Sequence, residues 1–455
     1  MGRMLYMPML IAVALCASGQ ALATSAGDGA EDQEQETPLS LARAVELAQA
    51  QNPQLRALRA RQAGAEGRRL STRQGILPSI SFDATYLRAE LGLLDTVPTL
   101  EPGVPPGIGW LDANPVEGNA VGVQLIQPLV NFGAWEARRQ AGRQEDAARL
   151  TVQRAVDEVT VATMAAYYGI RSAQRQVTAE RRGLRAARRG LAQARGALEE
   201  GLVSPLDVLQ ARTRVADMRA RVAVAKSRVT RAESGLQLVL GLDEAPTWVL
   251  TDDIPPPPAA LPAPATAAPV DQRSDVRAAE EIVRAAEAGV RRARAAYLPE
   301  VSLVGRYQRT DLGRPLDLDE TDWVIGVRLG WSVFAGFGQA GRLDEAQAVK
   351  QQASAEWRAL RQQGQAEIRD NYAEWHAQRI GWQSASRGVA DAEAALALVE
   401  GRYAEGLDDM TTLLQAQAEA LGAWTREIVA RYNAVLAAQR YRLATDAVEA
   451  GRWHP

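Results

Sequence analysis

Two hydrophobic periods alternate along this chain. Around residue 80 the period is two: Ile80, Phe82, Ala84 and Tyr86 alternate with Ser81, Asp83 and Thr85. It recurs in Trp323-Val324-Ile325-Gly326-Val327-Arg328-Leu329-Gly330-Trp331, where large apolar residues alternate with small or polar ones. Such alternation predicts strands with one apolar and one polar face. Four are expected, at about 79–91, 118–130, 300–311 and 322–334. A soluble sandwich would alternate too, but four strands with open edges are a liability on their own.

Elsewhere the period is seven. Val208, Val215, Val222, Val229 and Leu236 recur every seven residues, and Ala211, Met218, Ala225, Ala232 and Val239 sit three further on. This is the a/d seam of a coiled coil. Leu414, Leu421, Ile428 and Val435 hold the same period, with Ala416, Ala420, Ala423, Ala430, Ala434 and Ala437 on a second face. Two contact stripes on one helix suit a ring in which each helix touches both neighbours. No proline occurs between Pro128 and Pro205, or between Pro315 and Pro455. A helix over about 134–200 would be ~100 Å long at 1.5 Å per residue. Gly169, Gly183, Gly190 and Gly196 weaken it, but packing can override propensity.

The chain also repeats itself. "EGLVSPLDVLQAR" begins at Glu200 and "EGLDDMTTLLQAQ" at Glu405; Gly122–Gly133 resembles Gly326–Gly338, and Ile76–Tyr86 resembles Tyr297–Tyr307. The first half holds the longer inter-strand segment, "GLLDTVPTLEPGVPPGIGWLDANPVEG", rich in Pro and Gly as a surface loop should be. Each half reads helix, strand, loop, strand, very long helix, turn, long helix. The halves are assigned to 24–244 and 273–450, with a Pro-rich, semi-extended linker or equatorial segment at 245–272 and a tail at 451–455. The two Glu-Gly-Leu stretches then become the tips, 200–207 and 405–412, of two antiparallel hairpins at about 134–240 and 338–445. Gly201 and Gly406 end the first helix of each. Ser204 caps the next, with Pro205 at its first position and Asp207 in its first turn. Asp409 takes the cap in the second copy, where Thr412 replaces Asp207.

Composition narrows the function. The formal net charge is −3 over 455 residues, and aromatic residues make up 5%. There is no basic footprint for nucleic acid. Arg3 followed by "MLIAVALCASGQALA" has the form of a signal peptide over 1–23, with Ala21-Leu22-Ala23 as its cleavage site. Cys16, the single cysteine, would leave with it; Leu15 before it does not fit a lipid anchor. No other segment approaches 18 consecutive apolar residues, so no transmembrane helix is expected. An exported chain of this kind enters a membrane through a closed β-barrel. Four strands cannot close alone; two copies would give eight and three would give twelve.

In its duplicated helix–strand–strand–helix plan, in the Leu-Pro before strands one and three, and in the two Gly-Leu…Leu-Gln-Ala tips, the chain resembles the TolC-type outer-membrane factors of Gram-negative bacteria. The resemblance implies a mainly α fold with a β-barrel part. It implies a homotrimer whose 12-stranded outer-membrane barrel sits in outer-membrane lipid on a long periplasmic helical barrel. It implies an exit duct for tripartite efflux or type I secretion, joined through a periplasmic adaptor (membrane fusion) protein to an inner-membrane pump of the RND, ABC or MFS type. No cofactor, metal, nucleic acid or catalysis is implied. By position, Gly201-Leu202 and Gly406-Leu407 resemble the family's adaptor-docking tips, and Asp207 and Tyr403 resemble a pair that bonds to hold the periplasmic gate shut. Thr412 and Gln415 stand where a family member has two entrance aspartates, and Asp408 where it has an arginine that ties neighbouring chains. Asp408 and Asp409, repeated threefold, would supply another acidic collar. Ordinary helix capping also accounts for Asp207 and Asp409, and the two roles are compatible.

An enzyme has little support in the sequence. The only histidines are His376 and His454, and His376 has no metal-ligand partner one helical turn on. Trp323 and Trp331 fit either membrane-interface anchoring or packing inside the barrel region. The alternative from a different class is a periplasmic coiled-coil structural or adaptor protein, which leaves the duplicated strand pairs without a reason.

Overall fold

In the computed structural model the described residues are 37–89, 94–96, 108–110, 116–201, 203–244, 248–264, 270–312 and 318–447. The export signal read over 1–23, Leu202, His454 and the 451–455 tail lie outside them.

Strand β1 (Thr37–Leu39) leads into helices α1 (Leu41–Gln51) and α2 (Pro53–Ser71). Asn52 separates these two helices because its side chain accepts from the Gln54 and Leu55 amides while Pro53 opens the next turn. Strands β2 (Ser79–Ala89), β3 (Leu94–Thr96), β4 (Ile108–Trp110) and β5 (Val116–Val130) follow, then the long hairpin α3 (Phe132–Glu199) and α4 (Pro205–Leu240). After β6 (Trp248–Leu250) the plan recurs as α5 (Ser274–Ala295), β7 (Glu300–Leu312), β8 (Leu318–Gly330), α6 (Gly338–Ala404) and α7 (Met410–Ala444).

Three details differ from the hydrophobic pattern. β8 starts at Leu318 and ends at Gly330, four residues before the boundaries that alternation predicts at each end. Past Gly330 the chain turns, with φ of 55° at Gly336 and 62° at Phe337, so the apolar run through Phe334 is not strand. The long segment between β2 and β5 is not wholly loop, since β3 and β4 pair antiparallel within it. Finally, the Pro-rich connection is a strap packed on the helices. β6 pairs parallel with β1, Ile254 and Leu250 are buried, Arg171 donates to the Asp252 carbonyl at 2.7 Å and Tyr441 to the Pro262 carbonyl at 2.7 Å.

The core is a set of seams rather than one centre. The heptad positions Val215, Met218 and Leu236 of α4 are buried, as are Leu421, Ile428 and Val435 of α7. The glycines of α3 cost helix propensity, but Gly183 has a packing reason: a Cβ there would lie 2.9 Å from Met218 Cε and 3.4 Å from Leu421. Its absence lets α3, α4 and α7 approach. At 68 residues α3 is about 100 Å long.

The sheet order is β2-β5-β7-β8, antiparallel throughout, so β2 and β8 are open edges. Register decides which side chains share a face, because directly opposed residues point the same way. Phe82 opposes Val123, Val123 opposes Tyr307, and Tyr307 opposes Trp323. The next row runs Ile80, Leu125, Gly305, Ile325. Below it Leu303 opposes Val327. These rows form one apolar face, interrupted on β5 by Gln127, which opposes Leu303 and donates its side-chain amide to the Ile76 and Pro128 carbonyls. The other face carries Ser81, Gln124 and Arg306 in one row and Asp83, Gly122, Gln308 and Asp322 in the next.

Candidate functional site

The four strands cover nothing with their apolar face. Ile80 is 74% exposed, Trp323 71%, Ile325 71% and Val327 68%. An apolar face this large in water would drive aggregation; in a hydrocarbon slab it is satisfied. Trp323 to Leu329 spans six residues, ~20 Å along a strand, close to the apolar band of an outer-membrane barrel. Phe82, Tyr307 and Trp323 lie in one row towards the loop end. Tyr297, Trp331, Phe334 and Phe337 lie exposed at the opposite end, where the Trp331 indole donates to the Tyr297 carbonyl at 3.1 Å. Aromatic rows at both edges are the pattern of two membrane interfaces. Among the described residues no helix is long and apolar enough to cross a membrane.

At the far end of the helices two turns repeat one design. Gly201 and Gly406 hold φ of 74° and 72°, the left-handed conformation that ends a helix at least cost when the residue is glycine. In the first turn the Ser204 hydroxyl accepts from the Leu206 amide at 3.1 Å, and the Asp207 carboxylate accepts from the Ser204 amide at 2.9 Å. This reciprocal pair is a capping box. In the second turn Asp409 accepts from the Thr412 amide at 2.7 Å, and hydrogen bonding from the Thr412 side chain, then from its amide, holds the Asp409 carboxyl below its ordinary range.

Tyr403 sits between the two turns. Its ring is buried with Ala194, Ala211, Met410 and Leu413, so it touches the ends of α3, α4 and α7 at once. Its hydroxyl has no hydrogen-bond partner among the described residues. Burial, then the Asp207 carboxylate, pushes its pKa up. Asp207 is therefore within electrostatic reach of Tyr403 but spends its carboxylate on the Ser204 cap. The hydrogen bond implied by the family resemblance is not formed here.

Asp408 is engaged within its own chain. Arg402 donates to both of its carboxylate oxygens, at 2.9 and 3.0 Å, a bidentate clasp across the Gly406 turn. Arg402 was not singled out by sequence pattern; the available signal was an arginine placed before a turn with an aspartate just beyond it. Leu407 projects from the turn, 63% exposed. Thr412 and Gln415 are exposed at the start of α7, with Gln415 bonded to Glu419 at 3.0 Å. His376 is exposed on α6 beside Trp375 and lies far along the chain from either tip.

A second polar constellation, unseen in the sequence, lies where α7 ends against α5. Ser274 donates through its amide and hydroxyl to Asp446, Arg154 pairs with Asp446 at 3.6 Å, and buried Arg273 pairs with Asp275 and Glu367 at 2.7 and 2.9 Å. Beside it, burial and then the Asp446 charge raise the Asp157 pKa from 3.8 to about 6.

A lipid-ready sheet with open edges, standing on two long hairpins, is the build of an outer-membrane channel subunit. Comparison with known proteins agrees. The model of the outer membrane efflux protein family matches residues 44–242 and 270–445. The chain belongs to that family, whose members are passive outer-membrane ducts rather than enzymes. Two curated relatives from strains of Pseudomonas putida are each 28% identical over 205 residues, 44% of this chain and 42% of their own length. They are the probable efflux pump outer membrane protein SepC and the toluene efflux pump outer membrane protein TtgF. Each match therefore spans under half of the relative. Solved structures share the fold over nearly the whole chain. The outer-membrane channel OprN covers 90% of both chains at 23% identity and a TM-score of 0.75. The outer-membrane channel CmeC of Campylobacter jejuni covers 96% and 95% at 17% identity and a TM-score of 0.73.

Proposed function

We propose that three copies of the chain close their sheets into a twelve-stranded barrel and their hairpins into a helical tunnel, forming the exit duct of a tripartite efflux system. The observation that carries this reading is the register-aligned apolar face ending in two unpaired edges, β2 and β8. Four strands with that face cannot satisfy their backbone in lipid unless further copies supply strands. Three give twelve, an even number as such barrels require, in a symmetric closed ring. The duct does no chemistry. It conducts what an inner-membrane pump of the RND, ABC or MFS type delivers through a periplasmic adaptor. Likeness to a toluene efflux protein supports small molecules as cargo over secreted protein. A periplasmic scaffold would not need the lipid-ready sheet.

The tips are the gate and the docking point. The exposed Leu407 beside Gly406 offers adaptor hairpins a small apolar step, and Gly201-Leu202, by its matching place in the sequence, is assigned the same role at the first turn. Tyr403, Asp207, Asp408, Asp409, Thr412 and Gln415 surround the entrance. Replacing Asp207 with Ala and Tyr403 with Phe together is expected to raise single-channel conductance in planar bilayers. Unchanged conductance in a folded trimer would remove these two residues from the gate.

A further inference from the structure

A cleft of about 1000 Å³ beside the helices touches α3, α4, α6 and α7. Its position follows from the packing. α3 and α7 are the central helices of the four, while α4 packs chiefly on α3 and α6 chiefly on α7 in this region. Both edge helices lean over the cleft, so it lies on the concave side of the array. When such arrays are repeated around an axis to close a ring, the concave side faces inward.

Charge in this cleft is one-sided. Arg214, Arg221 and Arg228 of α4 line it. They stand seven residues apart, so they share one helix face at a spacing of ~10 Å. Arg426 joins them from α7. Glu180 is the one carboxylate among the lining residues, and Asp217 faces Arg214 in the groove that continues towards the tips. Burial and the neighbouring Arg221 guanidinium pull the Arg214 pKa down, and Asp217 and Glu180 offset this in part. Of the four guanidiniums, Arg228 donates to a neutral partner, Gln176, at 3.3 Å. The polar face of the sheet, in contrast, mixes Asp83 and Asp322 with Arg306 and Arg328. The sign bias of the helical cleft is therefore stronger than that of the sheet's polar face.

We propose that this arginine row is an anion-binding track on the tunnel wall, so that the duct prefers anionic solutes, those bearing carboxylate, sulfonate or phosphate groups. Guanidiniums at regular intervals along a cleft with low-dielectric walls raise the local anion concentration and repel cations. Planar guanidinium forks also suit oxyanions. Neutral solutes pass without discrimination. The inference rests on the duct reading above and adds a class of cargo to it.

The test is the reversal potential of the purified trimer in a planar bilayer under a potassium chloride gradient. The expected result is a chloride-to-potassium permeability ratio above one, falling several-fold when Arg214, Arg221, Arg228 and Arg426 are all replaced by Gln. If that variant fails to assemble, Arg228→Glu alone, on an exposed side chain, should lower the ratio in the same direction. A conducting wild type that prefers potassium overturns the proposal, as does a ratio that stays put in the assembled variants. Protein that inserts but passes no current contradicts the duct itself, and the proposal falls with it.

Discussion

At the scale of single residues, the clearest dependence is on Tyr167. Its ring is fully buried; its hydroxyl donates to the Leu39 carbonyl at 2.9 Å and accepts from the Asp252 amide at 3.0 Å. One side chain thus ties α3 to β1 and to the segment just past β6. Tyr167→Phe keeps the volume and leaves the Asp252 amide without this partner. A loss of about 1–3 kcal/mol is expected, read as a lower melting temperature of the detergent-solubilised protein. Asp157 gives a prediction of opposite sign. Its pKa is raised to about 6 in the fold, so the folded state binds more protons than the unfolded one between the ordinary carboxylate range and that value. Stability then falls as pH rises through this window. Asp157→Asn should raise the melting temperature at pH 7.5 and leave it nearly unchanged at pH 4. An equal gain at both pH values would contradict the assignment.

At the scale of elements, the tips and the strands make separate claims. The Ser204 cap satisfies helix-end amides that otherwise face only water, and Ser204→Ala should cost about 1 kcal/mol. Protease nicking near residue 204 should increase while the distant seams are undisturbed. Tyr403→Phe removes a hydroxyl with no partner among the described residues, so it should be close to neutral for stability. A large loss would mean that the hydroxyl bonds across the assembled ring. In the sheet, the register assigns opposite tolerance to opposite faces. Ile325→Arg places a charge in the middle of the lipid-facing band, where about 2–4 kcal/mol is expected. Gln308→Arg lies on the polar face and should be accepted. The measurement is the yield of assembled protein in the outer membrane for each variant. Equal yields would show that the face assignment is wrong.

At the scale of the molecule, what the sequence made legible was periodic. Long helices, hairpin turns and amphipathic strands each repeat a simple spacing, and duplication doubles every signal. The caps at Ser204 and Asp409 were readable because capping is local. What was hidden depends on contacts between distant residues. The Pro-rich strap reads in the sequence as a semi-extended linker, because proline content reports stiffness and not what the segment lies against. Arg402 and Asp408 are joined only by the exact closure of a turn. The Arg154–Asp446–Ser274 network draws on three separate helices and their ends. The Asp207 charge comes close enough to raise the Tyr403 pKa, but the two share no bond, since a carboxylate beside a helix start has the nearer amide to serve. The arginine row was visible as charge, yet only the packing of four helices shows that it lines a cleft.

The central claim is closure by three copies, and the native mass of protein extracted from outer membranes with mild detergent tests it most directly. One species holding three chains, each at most 49.1 kDa and released only by detergent, is the expected result. A single chain recovered from the soluble periplasmic fraction would contradict it.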